Sequence, residues 1–139
     1  SLMGPERVFP DTNVLLSGLI FRGNEARALE LAIQGRIRLV LSQFVLQEAM
    51  EVLRTKFSSH VRVLDAFLDL VEYELVPEPS PQSLYYASSL LRDPDDAPIL
   101  AAVLDSKPDC ALIGDKDLLT DAIRLIAPVQ TCAEYLRPR

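Results

Sequence analysis

The sequence predicts an α/β fold: a three-layer α/β/α sandwich around a central, mainly parallel sheet. Three observations carry this prediction. Short β-type runs alternate with amphipathic helical stretches along the chain, the order in which strands pair in parallel and helices cover both faces. The chain has 139 residues, the size of one domain, and its 49% hydrophobic content supplies a packed core. No repeat, low-complexity tract or long linker divides it. Residues 3–139 are therefore read as one domain, with Ser1-Leu2 ahead of Met3 as a cloning remnant.

The elements follow in order. Arg7-Val8-Phe9 is a first strand, stopped by Pro10, which cannot donate to a ladder. Asp11-Thr12-Asn13 is read as a turn. Asn24 N-caps a helix through Gln34, and Gly35 ends it. Ile37 to Leu41 is a strand. Ser42 caps a helix to about Phe57, with Val45, Ala49, Val52 and Leu53 on one face. His60 to Tyr73 repeats that helical spacing. Glu74-Leu75-Val76 is a short strand, and Pro77, Pro79 and Pro81 form a stiff connector. Gln82 to Leu91 is helical. Asp93-Pro94-Asp95-Asp96 opens a helix through Ser106. Cys110 to Ile113 is a strand ended by Gly114, and Leu118 to Ile126 is helical. Val129-Gln130 is the last strand, and Thr131 with Glu134 has capping-box spacing for a terminal helix.

Composition excludes several functions. No apolar run reaches the ~18 residues of a membrane span, and no signal-peptide layout stands near the start, so a soluble, cytoplasmic protein is expected. Cys110 and Cys132 form no CxxC pair and read as buried, reduced thiols. His60, the one histidine, sits at a helix start away from the acidic segments, so a histidine-based nucleophile lacks its base. No phosphate-binding glycine motif exists. Aromatics are 6%, and Tyr85-Tyr86 reads as one core and one surface residue rather than a base stack.

Charge is unevenly spread. Lys+Arg is 14 and Asp+Glu 20, a net charge of −6. Residues 1–69 are neutral, and the whole excess lies in residues 70–139; eight of the eleven Asp fall between Asp93 and Asp121. Such a chain does not attract nucleic acid by its bulk field, so a metal or a local basic patch would have to do so.

In a parallel sheet, ligands bind outside the carboxyl ends of the strands, where the helices also begin. Asp11 follows strand one. Glu48 is about two turns into the helix after strand two. Asp96 is in the first turn of its helix, and Asp115 and Asp117 follow the strand Cys110–Ile113. Five acids from four segments are thus predicted at one rim. Each also has a structural reading: Asp11 as a turn or cap residue, Glu48 as a solvated charge, Asp96 with Asp93 and Asp95 as N-cap and dipole-favourable residues, and Asp115 and Asp117 as a plain turn. Together they are costly. Two carboxylates about 4 Å apart repel by about 4 kcal/mol at an effective dielectric near 20. Oxygen-only ligands without histidine point to a hard dication, Mg²⁺ or Mn²⁺.

Val8-Phe9-Pro10-Asp11-Thr12-Asn13-Val14-Leu15-Leu16 resembles the opening of PIN (PilT N-terminus) domains. Ile37 to Lys56 with Glu48, Asp93-Pro94-Asp95-Asp96 before Ile99-Leu100-Ala101-Ala102, and Ile113-Gly114-Asp115-Lys116-Asp117 are similar to the later PIN segments, in order, over roughly residues 6–137. The likeness is greatest to the VapC-like toxins of toxin–antitoxin pairs. It implies a PIN-like fold and a Mg²⁺- or Mn²⁺-dependent endoribonuclease. Its catalytic and metal site maps onto Asp11, Glu48, Asp96 and Asp115, with Asp117 as a further ligand and Asn13 as polar support. Pro10 departs from the usual aliphatic residue. The resemblance also implies an RNA substrate, a homodimer and a small antitoxin partner.

In the mechanism this implies, Asp11, Asp96 and Asp115 hold one or two ions, while Glu48 orients or deprotonates the attacking water. Arg22, Arg27, Arg54, Lys56 and Lys116 are candidate phosphate contacts. Four alternatives stand beside it: a PIN nuclease of RNA processing, a receiver-like module whose acids hold Mg²⁺, a phosphatase with an Asp nucleophile, which wants Asp-x-Asp where Asn13 stands, and a catalytically idle binding protein. The receiver reading wants an acidic pair where Asp11-Thr12-Asn13 stands.

Overall fold

The computed structural model describes residues 4–138; Ser1, Leu2, Met3 and Arg139 lie outside the described residues, so the reading of Ser1-Leu2 does too. Five strands form one sheet in the order β3-β2-β1-β4-β5, and every neighbouring pair is parallel. They are β1 (Glu6–Pro10), β2 (Ile37–Ser42), β3 (Tyr73–Val76), β4 (Cys110–Leu112) and β5 (Val129–Gln130). Among the described residues, eight helices flank the sheet: α1 (Thr12–Ile20), α2 (Asn24–Ile33), α3 (Gln43–Lys56), α4 (Val63–Leu70), α5 (Pro81–Ser89), α6 (Ala97–Ser106), α7 (Asp121–Ile126) and α8 (Cys132–Leu136). The expected α/β class and parallel sheet are found.

The central strands explain themselves. Val8, Phe9, Leu39, Val40, Leu41, Ala111 and Leu112 are fully buried, as strands covered on both faces must be. β1 runs through Pro10 instead of stopping before it. Its pairing with β2 reaches only Val8, while that with β4 continues to Pro10 opposite Leu112; the next donor is the Asp11 N–H, which reaches the Leu112 carbonyl at 2.9 Å. At the far edge of the sheet, Arg7 spans β2 to bond Glu74 at 2.7 and 2.9 Å and also donates to the Ser106 and Lys107 carbonyls.

Several boundaries differ from expectation. The predicted turn at Asp11–Asn13 is the start of α1, a helix that the run Val14–Ile20 does not announce because its apolar residues suit a buried strand equally well. Asn24 is not an N-cap. Gly23 holds that position with φ 143°, a conformation only glycine takes readily, and Asn24 is the first helical residue. The expected helix His60–Tyr73 is a 3₁₀ turn at Ser58–His60 followed by α4, and Tyr73 opens β3, where the backbone pairs with Leu39. Pro81 is the first residue of α5, capped by Ser80, and does not belong to the connector. The stretch Leu118–Ile126 is split: Thr120 caps α7 at Asp121, after a 3₁₀ turn at Lys116–Leu118. Tyr85 and Tyr86 are both exposed, not one core and one surface.

Other local signals hold. Ser42 Oγ accepts the Val45 N–H at 3.0 Å, Gly35 follows α2 at φ 74°, and Thr131 and Glu134 form the capping box of α8. Cys110 and Cys132 are buried thiols. Burial, with Glu25 and Asp11 nearby, pushes the Cys132 thiol up to about 12, so it stays protonated.

Candidate metal centre

The sheet order reverses direction between β1 and β4: one neighbour of β1 leads to β2 and β3, the other to β4 and β5. Ligand crevices open at such switch points, beyond the carboxyl ends of the strands. Here Asp11 leaves β1 and Gly114-Asp115 leave β4 side by side.

Asp11 is only 1% exposed. Its Oδ1 accepts the Val14 N–H at 2.8 Å, capping α1, and its Oδ2 accepts the Gly114 N–H at 2.8 Å. Burial pushes its carboxyl above the ordinary range, and the Val14, Gly114 and Asp115 N–H groups pull against it. The structural and functional readings of Asp11 are thus both open to one side chain, because each oxygen keeps a second lone pair.

Asp96 arrives from a different segment. Asp93 caps the 3₁₀ turn Pro94–Asp96, its Oδ1 accepting the Asp95 N–H at 2.9 Å, and α6 begins at Ala97. Across from it, Asp115 caps the turn Lys116–Leu118 through the Asp117 N–H at 2.9 Å. One carboxylate oxygen each from Asp96, Asp115 and Asp117 lies within 4.8 Å of the others. Burial first, and then the charge and hydrogen bonding of Asp115, push the Asp96 carboxyl up to about 6, with Asp93 and Asp117 adding to it.

Asp11, Glu48, Asp96 and Asp115 line one cleft of about 350 Å³ with Thr12, Asn13 and Lys56. Glu48 comes from α3, exposed one and a half turns after the Ser42 cap. Asp117 joins the carboxylate group but does not line the cleft. Arg22, Arg27, Arg54 and Lys116 are exposed and stand outside it; of the predicted basic residues, Lys56 alone lines it. Asp95 also lines it, although its position at a helix start reads more simply as a cap. Thr12 was missed because α1 was not foreseen: read as a helix, that segment would put Thr12 and Leu16 on one face.

The donor set fits a hard dication. Two buried oxygens among the described residues find no hydrogen-bond partner, Thr12 Oγ1 and Asp96 Oδ2, and both belong to residues lining this cleft. A buried polar atom without a partner costs about 1–3 kcal/mol. A cation would supply the counter-charge that three close carboxylates need.

The chain matches the PIN domain family over residues 7–117. Its backbone is similar to two solved structures. VapBC2 from Rickettsia felis, bound to a DNA fragment from its promoter, gives a TM-score of 0.63 at 15% identity, covering 90% of this chain and 98% of that one. VapC20 from Mycobacterium tuberculosis, a sarcin-ricin loop cleaving toxin, gives 0.54 at 18% identity, covering 81% and 92%. At these identities the likeness speaks for the fold. No curated protein sequence matches the chain significantly.

Proposed function

This chain belongs to the PIN domain family, and on that footing we propose that it is a Mg²⁺- or Mn²⁺-dependent endoribonuclease, the toxin of a toxin–antitoxin pair. One observation carries the reading: Asp11, Glu48, Asp96 and Asp115, from four separate segments, meet around a single open cleft. The two orphaned oxygens there support a bound cation in particular.

Asp96 and Asp115 would hold the ion, with Asp11 behind them and Asp117 at the outer side. When bound, Mg²⁺ or Mn²⁺ lowers the pKa of water and stabilises charge developing on a phosphate. Asp11 has a second task. By fastening α1 to Gly114 it fixes the distance between the ends of β1 and β4, and so holds the ligands in register. Glu48, exposed on α3, is free to turn toward a water on the phosphate and take its proton. Asn13, at the cleft's edge, can bond a non-reacting phosphate oxygen.

The partners belong to the same proposal. An apolar groove between α1, α2 and α4 leaves Ile33 and Leu70 exposed, a surface suited to a protein such as an antitoxin or a second copy of the chain. No helix among the described residues is long and apolar enough to cross a membrane.

The test is cleavage of labelled RNA and single-stranded DNA with Mg²⁺, Mn²⁺ or EDTA, beside Asp115→Asn and Asp96→Asn. RNA cleavage that needs the metal and disappears in both variants is the expected result. Cleavage that survives EDTA, or equal activity in the variants, overturns the reading. A small antitoxin-like reading frame beside the gene, and growth arrest on expression that its product relieves, separate the toxin role from RNA processing.

A further inference from the structure

The cleft is acidic, yet its substrate would be a polyanion, so something in it must meet a phosphate other than the one at the metal. Among the described residues that line it, Lys56 is the one cation. It is the last residue of α3 and follows Glu48 and Val52 at intervals of four, which sets all three on one helix face. All three line the cleft. Helical side chains lean toward the N-terminus, so that of Lys56 reaches back over Val52 in the direction of Glu48.

Two features separate Lys56 from an ordinary surface lysine. Five carboxylate residues share its cleft, yet it forms no ion pair; those present among the described residues belong to Arg7, Arg38 and Arg124. Its ammonium is therefore available to an incoming anion. Its backbone also stands about two turns beyond that of Glu48. Eight residues of helix separate it from Glu48, about 12 Å of axis. Its backbone therefore enters the cleft farther along α3 than that of Glu48, on the side away from the Ser42 cap.

We propose that Lys56 is a substrate-positioning residue that grips a backbone phosphate of single-stranded RNA beside the scissile one. This rests on the ribonuclease reading above. Lys56 fixes which stretch of backbone lies across the carboxylates, and it touches no reacting atom. An ammonium suits this task, since it binds phosphate as a point charge without demanding one orientation.

The experiment uses the full chain and a labelled single-stranded RNA of mixed sequence, with Lys56→Ala, Lys56→Arg and Lys56→Met. Binding is measured against salt concentration in Ca²⁺, and cleavage in Mg²⁺. Loss of one phosphate contact lowers the slope of log affinity against log salt by about 0.7 for a single strand. Lys56→Ala and Lys56→Met should both show this, with KM raised about tenfold and kcat nearly unchanged, while Lys56→Arg restores the slope. A salt slope equal to that of the wild type in Lys56→Ala overturns the assignment even if the wild type cleaves RNA. Recovery in Lys56→Met, which keeps the stem without the charge, overturns it in favour of packing. A wild type that cleaves no RNA with either metal overturns the ribonuclease reading itself, and this assignment with it.

Discussion

Asp11 Oδ2 accepts the backbone N–H of Gly114 at 2.8 Å, joining the end of β1 to the end of β4 across 103 residues of chain. The same carboxylate caps α1 through Val14. A residue proposed to help hold a cation is therefore also a clasp between two strands. Gly114 belongs to that clasp, because a Cβ there would stand 3.2 Å from Asn13 Cβ.

Asp11→Asn should consequently fail in two ways. An amide offers one accepting oxygen, so an NH₂ group would face either the Gly114 or the Val14 N–H. The expected loss of stability is about 1–3 kcal/mol, in addition to lost cleavage. Glu48→Gln, on an exposed helix face, should abolish cleavage within about 0.5 kcal/mol of wild-type stability. Urea denaturation of both variants beside the RNA assay checks this. A fully stable Asp11→Asn protein would show that the clasp contributes nothing to the fold.

The second relationship is between Asp96 and Asp115, and its sign is testable. The Asp96 carboxyl is raised to about 6 from an ordinary 3.8. Its protonated form is the one the fold prefers. That stability is fully present below pH 3.8 and is lost as pH rises through about 6. At pH 7.5 without metal the site should cost roughly 1–2 kcal/mol after solvent screening. Asp96→Asn is then expected to melt a few degrees higher than the wild type at pH 7.5, and no higher at pH 4. Mg²⁺ should raise the melting temperature of the wild type at pH 7.5 and do little at pH 5, where protons compete for the same oxygens. Thermal melts over this range decide it: equal Mg²⁺ stabilisation at both values would place the ion elsewhere.

What was legible in the sequence follows the range of the forces involved. The Ser42 cap and the Thr131–Glu134 box were readable because donor and acceptor lie three residues apart. The acidic residues were readable as a rim because a parallel sheet sends every strand end to the same edge. The α1 helix was not, since Val14, Leu15, Leu16, Leu19 and Ile20 give no polar face to set a period, and Gly18 interrupts the run. Nor was the double use of Asp11, whose second partner lies 103 residues away and depends on the sheet order. The His60–Tyr73 pattern misled because Val71 and Tyr73 suit a helix face and a strand alike, and only pairing with β2 decides between them.

Gly18 yields a third prediction. It lies in α1 where that helix crosses α2, and a Cβ there would come within 2.5 Å of Leu29 Cδ1 and 2.9 Å of the Glu25 carbonyl oxygen. Leu29 could swing aside, but the backbone oxygen cannot without moving α2. In an open helix Gly→Ala stabilises by about 1 kcal/mol; here overpacking should reverse the sign and cost about 1–3 kcal/mol. Chemical denaturation of Gly18→Ala measures this. A gain in stability would mean that α1 and α2 are less closely packed than their contact at Gly18 implies.

Thr12 gives a sharper test of the metal, because its hydroxyl has no role in the protein alone. Oγ1 is buried without a partner, and the residue is 5% exposed. Replacing it by Val keeps the shape and removes an unsatisfied polar atom, a change expected to be neutral or to stabilise the metal-free protein by about 1 kcal/mol. In the presence of Mg²⁺ the order should invert. If the hydroxyl bonds a water of the hydrated ion, Thr12→Val loses part of the Mg²⁺-induced rise in melting temperature, and its apparent Mg²⁺ affinity falls about tenfold. The comparison needs no substrate, so it reports on the ion whether or not the RNA is the right one. A valine variant that is less stable without metal and gains as much from Mg²⁺ as the wild type would show that Thr12 serves the fold and that the ion, if bound, sits beyond its reach.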